Sequence, residues 1–235
     1  MDYKFLVNGF EILARYEEED IKEIFIPILR NLIHLQSQKA RRIIVFVSAP
    51  PAVGKSTLVA FLEHLAEERL GNNNIQGVGI DGFHFYNDYL ISNRLKDKKG
   101  AIDTFNISKL NKALESIQSS NEYWPIYDRN LHDPIEDQIF IDKQIIILEG
   151  NYLNHVDWQQ LKKYCDYSIF IRADKDILKE RLISRKIRGG LTEKEAIHFY
   201  ENSDRKNIEE VLNNTIKTDM ELSYDGKNYI LGGIL

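Results

Sequence analysis

The segment Ala49-Pro50-Pro51-Ala52-Val53-Gly54-Lys55-Ser56-Thr57 carries the second half of the pattern G-x-x-x-x-G-K-[ST], with alanine where the first glycine would stand. In such a loop main-chain N–H groups turn inward above the amino terminus of a helix, and both features favour the negative charge of phosphates. Lys55 would reach the β- and γ-phosphates of a nucleotide, and the Ser56 hydroxyl would ligate a Mg2+ bridging the same oxygens. Pro51, Ala52, Val53, Gly54 and Thr57 would complete the wrap, Gly54 supplying the conformational freedom it needs. A helix start with a capping serine and a solvated lysine is the plainer alternative. The flanks favour the phosphate loop: Ile43-Ile44-Val45-Phe46-Val47 reads as a buried strand just before it, and helical periodicity runs from Ser56 to Leu70 just after it.

In an open parallel sheet, functional residues gather beyond the carboxyl ends of the strands. Two further apolar runs end in acids. Val78-Gly79-Ile80 leads into Asp81-Gly82-Phe83-His84, and Ile145-Ile146-Ile147-Leu148 into Glu149-Gly150-Asn151-Tyr152. With both strands beside the loop strand, both carboxylates would face the γ-phosphate, Asp81 as a base for a hydroxyl proton and Glu149 as the acid on the metal side. Either Asp-Gly or Glu-Gly alone is as readily a turn. His84 would contact the acceptor or orient Asp81; a lone histidine is otherwise a structural hydrogen-bonding residue. The stretch from Tyr127 through Arg129 to His132 offers hydroxyl, guanidinium and imidazole groups suited to a polyhydroxylated or anionic acceptor, in what otherwise reads as a polar surface loop.

Arg181, Arg185 and Arg188 fall at i, i+4 and i+7, on one side of a helix that runs out at Gly189-Gly190. A solvated charged face is one reading. The other is a lid, with Arg185 and Arg188 closing over phosphates and excluding water.

The elements that must position these groups follow from periodicity. Residues 3–16 alternate strand-forming residues around Asn8-Gly9, a hairpin signal, and Asp20 to about Gln38 has helical spacing with Pro27 expected to kink or interrupt it. Short apolar runs at 75–80, 145–148 and 167–171 predict buried parallel strands, and helices are expected at 107–118, 155–164, 175–187 and 193–213. Asp225-Gly226 between strand-like runs predicts a second hairpin. The expected fold is therefore α/β, a three-layer arrangement with a mostly parallel central sheet, a helical lid over 181–200, and β-hairpins at the amino and carboxyl ends. With no linker or repeat, 1–235 is read as a single domain whose first 40 residues add a hairpin and a helix.

Composition bounds the function. A hydrophobic share of 43%, a charged share of 29% and a net charge of −5 describe an ordinary globular protein and argue against a broad cationic face for nucleic acid. The one cysteine, Cys165, forms no internal disulfide and reads as a small buried residue. No secretion signal or membrane-length apolar run is present in the sequence, so a cytoplasmic location and no membrane partner are expected. A homodimer through the amino-terminal hairpin is left open.

Taken together, APPAVGKST at 49–57, DGFHFYN at 81–87, KGAIDTFN at 99–106, WPIYDRNLHDP at 124–134, EGNYL at 149–153 and RLISRKIRGG at 181–190 resemble the phosphoribulokinase, uridine kinase and type I pantothenate kinase superfamily, and its nucleoside/nucleotide kinase-like bacterial branch in particular. The resemblance covers about residues 40–220. It implies the P-loop NTPase fold and an ATP- and Mg2+-dependent transfer of phosphate to a hydroxyl of a small metabolite, whether sugar, nucleoside or pantothenate-like alcohol. It further implies that Asp81 is the base, that Glu149 lies near the magnesium, and that DGFH, Tyr127 to His132 and Tyr152 belong to the acceptor side. After Thr104-Phe105 this chain has Asn106 where related kinases place an acceptor-binding aspartate. Its lid segment is shorter than that of uridine kinases, with Lys186 where they tend to carry aspartate. A nucleotide-dependent switch or binding protein without a small acceptor is the alternative function.

Overall fold

The computed structural model describes residues 1–7 and 9–232. The chain opens with β1 (Asp2–Val7) and β2 (Phe10–Arg15), an antiparallel pair. Asn8 of the expected Asn-Gly turn lies outside the described residues, while Gly9 has φ +81°, a conformation glycine adopts without cost. A first helical turn, α1 (Glu18–Asp20), runs through a π-helical stretch, Ile21–Phe25, into α2 (Ile26–Lys39). The expected break at Pro27 takes this form because proline has no N–H to offer the ladder. The chain takes a wider turn just upstream, where the Ile26 N–H bonds to Ile21 O, and the helix then continues.

The strand β3 (Ile43–Ser48) leads through the phosphate-loop segment to α3 (Lys55–Leu70), which Gly71 closes in the left-handed conformation. Then follow β4 (Ile75–Gly79), the short α4 (Asn87–Ser92) and α5 (Ile107–Ile117). Next come β5 (Glu122–Asp128) and β6 (Asp133–Ile141), an antiparallel pair that sequence periodicity did not reveal. The chain continues with β7 (Ile145–Glu149), a 3-10 segment over Val156–Tyr164 where an α-helix was expected, β8 (Tyr167–Ala173) and α6 (Lys175–Arg188). After α7 (Glu193–Phe199) a second π stretch, Tyr200–Asp204, joins α8 (Arg205–Asn214). The closing hairpin is β9 (Met220–Tyr224) and β10 (Tyr229–Leu231).

The central sheet has the order β10-β9-β8-β3-β7-β4, parallel throughout except for β10. Its strands alternate strictly between two cores. Ile43, Val45, Val47, Ile145, Ile147, Ile169 and Ile171 face α2, α3, α6 and the amino-terminal hairpin. Ile44, Phe46, Ile146, Leu148 and Phe170 face α5, the 3-10 segment and Trp124. A sheet buried on both faces needs continuous apolar strands, and the all-buried IIVFVS and IIILE supply them. The result is the three-layer α/β fold expected from sequence. Rings fix the hairpin to it: Tyr16 stacks on Phe61 of α3 at 3.9 Å between centroids, and Tyr3 meets the same ring edge-on at 4.9 Å.

Candidate functional site

Strand register brings the site together. Val47 of β3, Glu149 of β7 and Gly79 of β4 lie level across the sheet, so the chain segments that follow them leave the same edge. Asp81's strand does not neighbour the loop strand, as the sequence reading supposed, because β7 lies between them. Glu149 is thus the nearer acid to the loop and Asp81 the farther.

Two residues of the loop segment, Ala52 at φ +68° and Gly54 at φ +106°, take the left-handed conformation, of the kind from which concave anion-binding nests of N–H groups are built. Ala49 is fully buried and does not share that conformation, so the missing first glycine leaves no strained position. Lys55, 7% exposed, donates through Nζ to Ala49 O at 3.1 Å, Pro50 O at 3.2 Å and Asn151 Oδ1 at 2.6 Å. Burial pulls its ammonium below the ordinary lysine range, opposed by the carboxylates of Glu149 and Asp81. Ser56 Oγ donates to Glu149 Oε1 at 2.6 Å. Burial pushes the Glu149 carboxyl upward, and Lys55 counters it. A Cβ at position 79 would meet Glu149 Oε1 at 2.9 Å, so Gly79 is the gap through which that side chain passes.

The hard oxygens of Ser56 and Glu149 suit Mg2+, which is commonly held by one or two protein oxygens plus phosphates. Among the described residues no cluster of three or more His, Cys, Asp or Glu could hold a metal by itself.

On the side of β4, Asp81 Oδ2 accepts from Arg129 Nη2 at 3.2 Å, both side chains keeping partial solvent contact. Arg129 follows the end of β5, and the turn it begins is the tip of the β5–β6 hairpin. The stretch read as a polar loop is therefore the last residues of β5 and the hairpin corner, with the pairing register shifting further down the strand, between Trp124 and Ile126. Gly82 is required here: a Cβ would fall 2.4 Å from Pro125 O, so only glycine lets the Asp81 turn lie flat against β5.

His84 stacks on Phe105 at 3.7 Å and meets Tyr127 edge-on at 5.8 Å. Its Nδ1 lies 3.2 Å from Thr104 O, which fixes a proton on that nitrogen, and burial holds its pKa below the usual histidine value. Tyr127 is pushed up to about 12 by burial, so it stays a phenol. His132 is exposed at φ +53°, and its carbonyl accepts from Lys99 Nζ at 2.6 Å and Asn87 Nδ2 at 2.9 Å, tying the hairpin tip to α4.

Two expected acceptor residues have other occupations. Asn106 caps α5, its Oδ1 accepting from the Lys109 N–H at 3.0 Å. Tyr152 is fully buried against Phe105 and Trp158, with its hydroxyl on Gly100 O at 3.0 Å, so it packs beneath the cleft and does not open into it.

Among the lid arginines, Arg185 is exposed to solvent near the end of α6. Burial lowers its guanidinium, opposed by Asp204 and Asp81 and assisted by Arg129 and Arg188. Arg188 is exposed at the last turn of α6. Sequence reasoning named two further residues but gave neither a role of its own. Arg181 donates to Val53 O at 3.2 Å, and Asn151 holds Lys55. The signals were present: Asn151 lies two places past a functional strand end, and Arg181 is a full turn nearer the loop than Arg185.

No family model matches the chain. Over 232 residues it is 42% identical to the uncharacterised protein YggC of Escherichia coli, spanning 97% of this chain and 98% of that one. It is 30% identical over 195 residues to a provisionally named uridine kinase of Schizosaccharomyces pombe, spanning 77% of this chain and 83% of that protein. With the pantothenate kinase of Enterococcus faecalis it shares 29% identity over 191 residues, 71% of this chain and 62% of that protein. Among solved structures, a provisionally named fructose transport system kinase of Silicibacter has the same fold, with a TM-score of 0.78 at 24% identity over 85% of this chain and 98% of that chain.

Proposed function

Because the chain belongs to the phosphoribulokinase, uridine kinase and type I pantothenate kinase superfamily of P-loop kinases, we propose that it transfers the γ-phosphate of ATP to a hydroxyl of a small metabolite. The observation that carries this reading is the convergence of Lys55, Ser56, Glu149 and Asp81 at one sheet edge, beside a loop with two left-handed residues, Ala52 and Gly54.

Residues 51–57 bind the phosphates, and Lys55 adds a positive charge fixed in place by three oxygens. Ser56 and Glu149 are the residues that would hold Mg2+, which when bound neutralises charge on the β- and γ-phosphate oxygens. Asp81 accepts the proton of the attacking hydroxyl, and Arg129 orients that carboxylate. Arg185 stabilises charge on the transferring group, with Arg188 at the rim of the lid. His84, Tyr127 and the hairpin corner form the acceptor wall. Arg129 beside the base favours an acceptor that is hydroxyl-rich or carries negative charge.

The test is to screen the pure protein with ATP and Mg2+ against sugars, sugar phosphates, nucleosides and pantothenate-like alcohols. One of them should stimulate ATP consumption, and Asp81→Asn should reduce that turnover by about 10²–10⁴-fold while ADP still binds. ATP hydrolysis indifferent to every metabolite would favour a nucleotide switch. An Asp81→Asn variant with near-normal turnover would reassign the base.

A further inference from the structure

A cavity of about 340 Å³ opens directly off the phosphate loop, sharing Val53, Gly54 and Thr57 with it. Its other walls are residues 12–17, Arg181 and the β9–β10 hairpin. That volume lies in the range of small-ligand sites. The strand order puts it on the opposite side of β3 from Asp81: the acceptor cleft lies toward β7 and β4, the cavity toward β8, β9 and β10. A triphosphate in the loop whose γ end faces Asp81 must direct its nucleoside the other way, into this space.

What is particular to this chain is the wall made by β2. Among the described residues this strand has a single neighbour, β1. Met1 and Tyr16 exchange both of their main-chain bonds, at 2.6 and 3.0 Å. By the alternation of an antiparallel pair, Ala14 and Ile12 likewise face β1, while the N–H and C=O groups of Leu13 and Arg15 point off the free edge. Leu13 and Arg15 both line the cavity. A free strand edge presents donor and acceptor side by side, the pattern a base needs if its ring nitrogen accepts and its amino group donates. Arg181 adds a flat surface: it donates to Val53 O at 3.2 Å, and its guanidinium carbon lies 5.2 Å from the Tyr224 ring centre. Glu17 links the two hairpins at the mouth, 3.5 Å from Lys227 and 3.7 Å from Arg15.

We propose that the free edge of β2 reads the nucleobase of the phosphate donor through the main-chain groups of Leu13 and Arg15, selecting an amino-purine. This rests on the nucleotide-binding reading above.

Proline removes only an N–H that β1 does not use, and sheet edges tolerate it. Calorimetry with ADP and with tripolyphosphate, which has no base, separates the two halves of the site. Leu13→Pro or Arg15→Pro should weaken ADP binding about tenfold more than alanine at the same position, with tripolyphosphate affinity unchanged. Wild-type protein should also bind IDP, which lacks the amino group, about tenfold more weakly than ADP. Equal ADP affinity for the proline and alanine variants, an equal loss of both ligands, or IDP binding as tight as ADP overturns the base-reading edge and leaves the kinase reading intact. Wild-type protein that binds neither ADP nor tripolyphosphate overturns the phosphate loop itself, and the edge with it.

Discussion

The Nζ of Lys55 donates to Oδ1 of Asn151 at 2.6 Å, so the residue two places past the end of β7 holds the one buried cation of the phosphate loop among the described residues. The other two bonds of that ammonium go to carbonyls of the loop itself, at 3.1 and 3.2 Å. Asn151 is therefore the tether between the loop and the strand that carries Glu149. Asn151→Ala should leave the fold intact and lower kcat/KM for ATP by about tenfold to a hundredfold, because the charge remains but loses its fixed position. Steady-state kinetics checks this, and an unchanged kcat/KM would show that the two carbonyls suffice.

Ala49→Gly tests whether the absent first glycine matters. The left-handed positions of the loop are Ala52 and Gly54, and position 49 is not among them. Nucleotide affinity should stay within about twofold of wild type, while thermal stability falls by about 0.5–1 kcal/mol from the added freedom of the unfolded chain. Calorimetry and a thermal melt give the two numbers; a large gain in affinity would mean that the alanine strains the loop.

Gly82→Ala should be far more damaging than its size suggests. Its Cβ would overlap Pro125 O at 2.4 Å and Ile126 N at 2.8 Å, both main-chain atoms that cannot rotate away. We expect a loss of about 1–3 kcal/mol, and a loss of turnover beyond what the melt explains because Asp81 is displaced. Gly150→Ala is the comparison. It meets side-chain rather than main-chain atoms, Ile80 Cδ1 and Cγ1, also at 2.4 Å; because Ile80 is fully buried its adjustment is still costly, but a smaller loss than at Gly82 is expected.

The pH dependence should carry the mark of His84. Burial, the largest influence, holds its folded pKa below the unfolded value of 6.5, opposed by Asp81 and by the bond to Thr104, and assisted by Lys99 and Arg129. The unfolded chain therefore takes up the proton first as pH falls. The stability His84 contributes is present in full above pH 6.5 and is lost on the way down toward the folded pKa. His84→Gln should flatten the melting temperature against pH below about 6.5. If the slope is unchanged, other groups set it.

The central sheet was legible because buried parallel strands must be apolar without interruption, and IIVFV and IIIL leave no other reading. Asp81 and Glu149 were legible as the polar residues that end such runs. The β5–β6 hairpin was not: Pro125 sits in the strand, the corner has four polar or bulky residues, and IEDQIFI mixes exposed and half-buried positions without clean alternation. Missing that hairpin made Tyr127 to His132 look like a loop, although Arg129 still emerged beside Asp81. Tyr152 and Asn106 were misleading for a common reason. Sequence shows a polar group near the site but not whether it is already taken, and here Gly100 O takes the hydroxyl of one and the α5 cap takes the amide oxygen of the other. Spacing placed the three arginines on one face, but their heights above the loop depend on where α6 starts, which the Asp174 cap sets.

The Asp20 carboxylate accepts a buried bond from the Tyr229 N–H at 3.0 Å, and the Tyr229 ring packs against Tyr16 and Phe25. Residues 209 positions apart in the chain thus complete one another. During synthesis the first helix and hairpin can pack on Phe61 once α3 has emerged, but Asp20 and the side of Tyr16 and Phe25 that receives Tyr229 stay unmatched until residue 229 leaves the ribosome. The joint between the amino-terminal elements and the closing hairpin should then be the last contact of this core to form, since it links the ends of the chain.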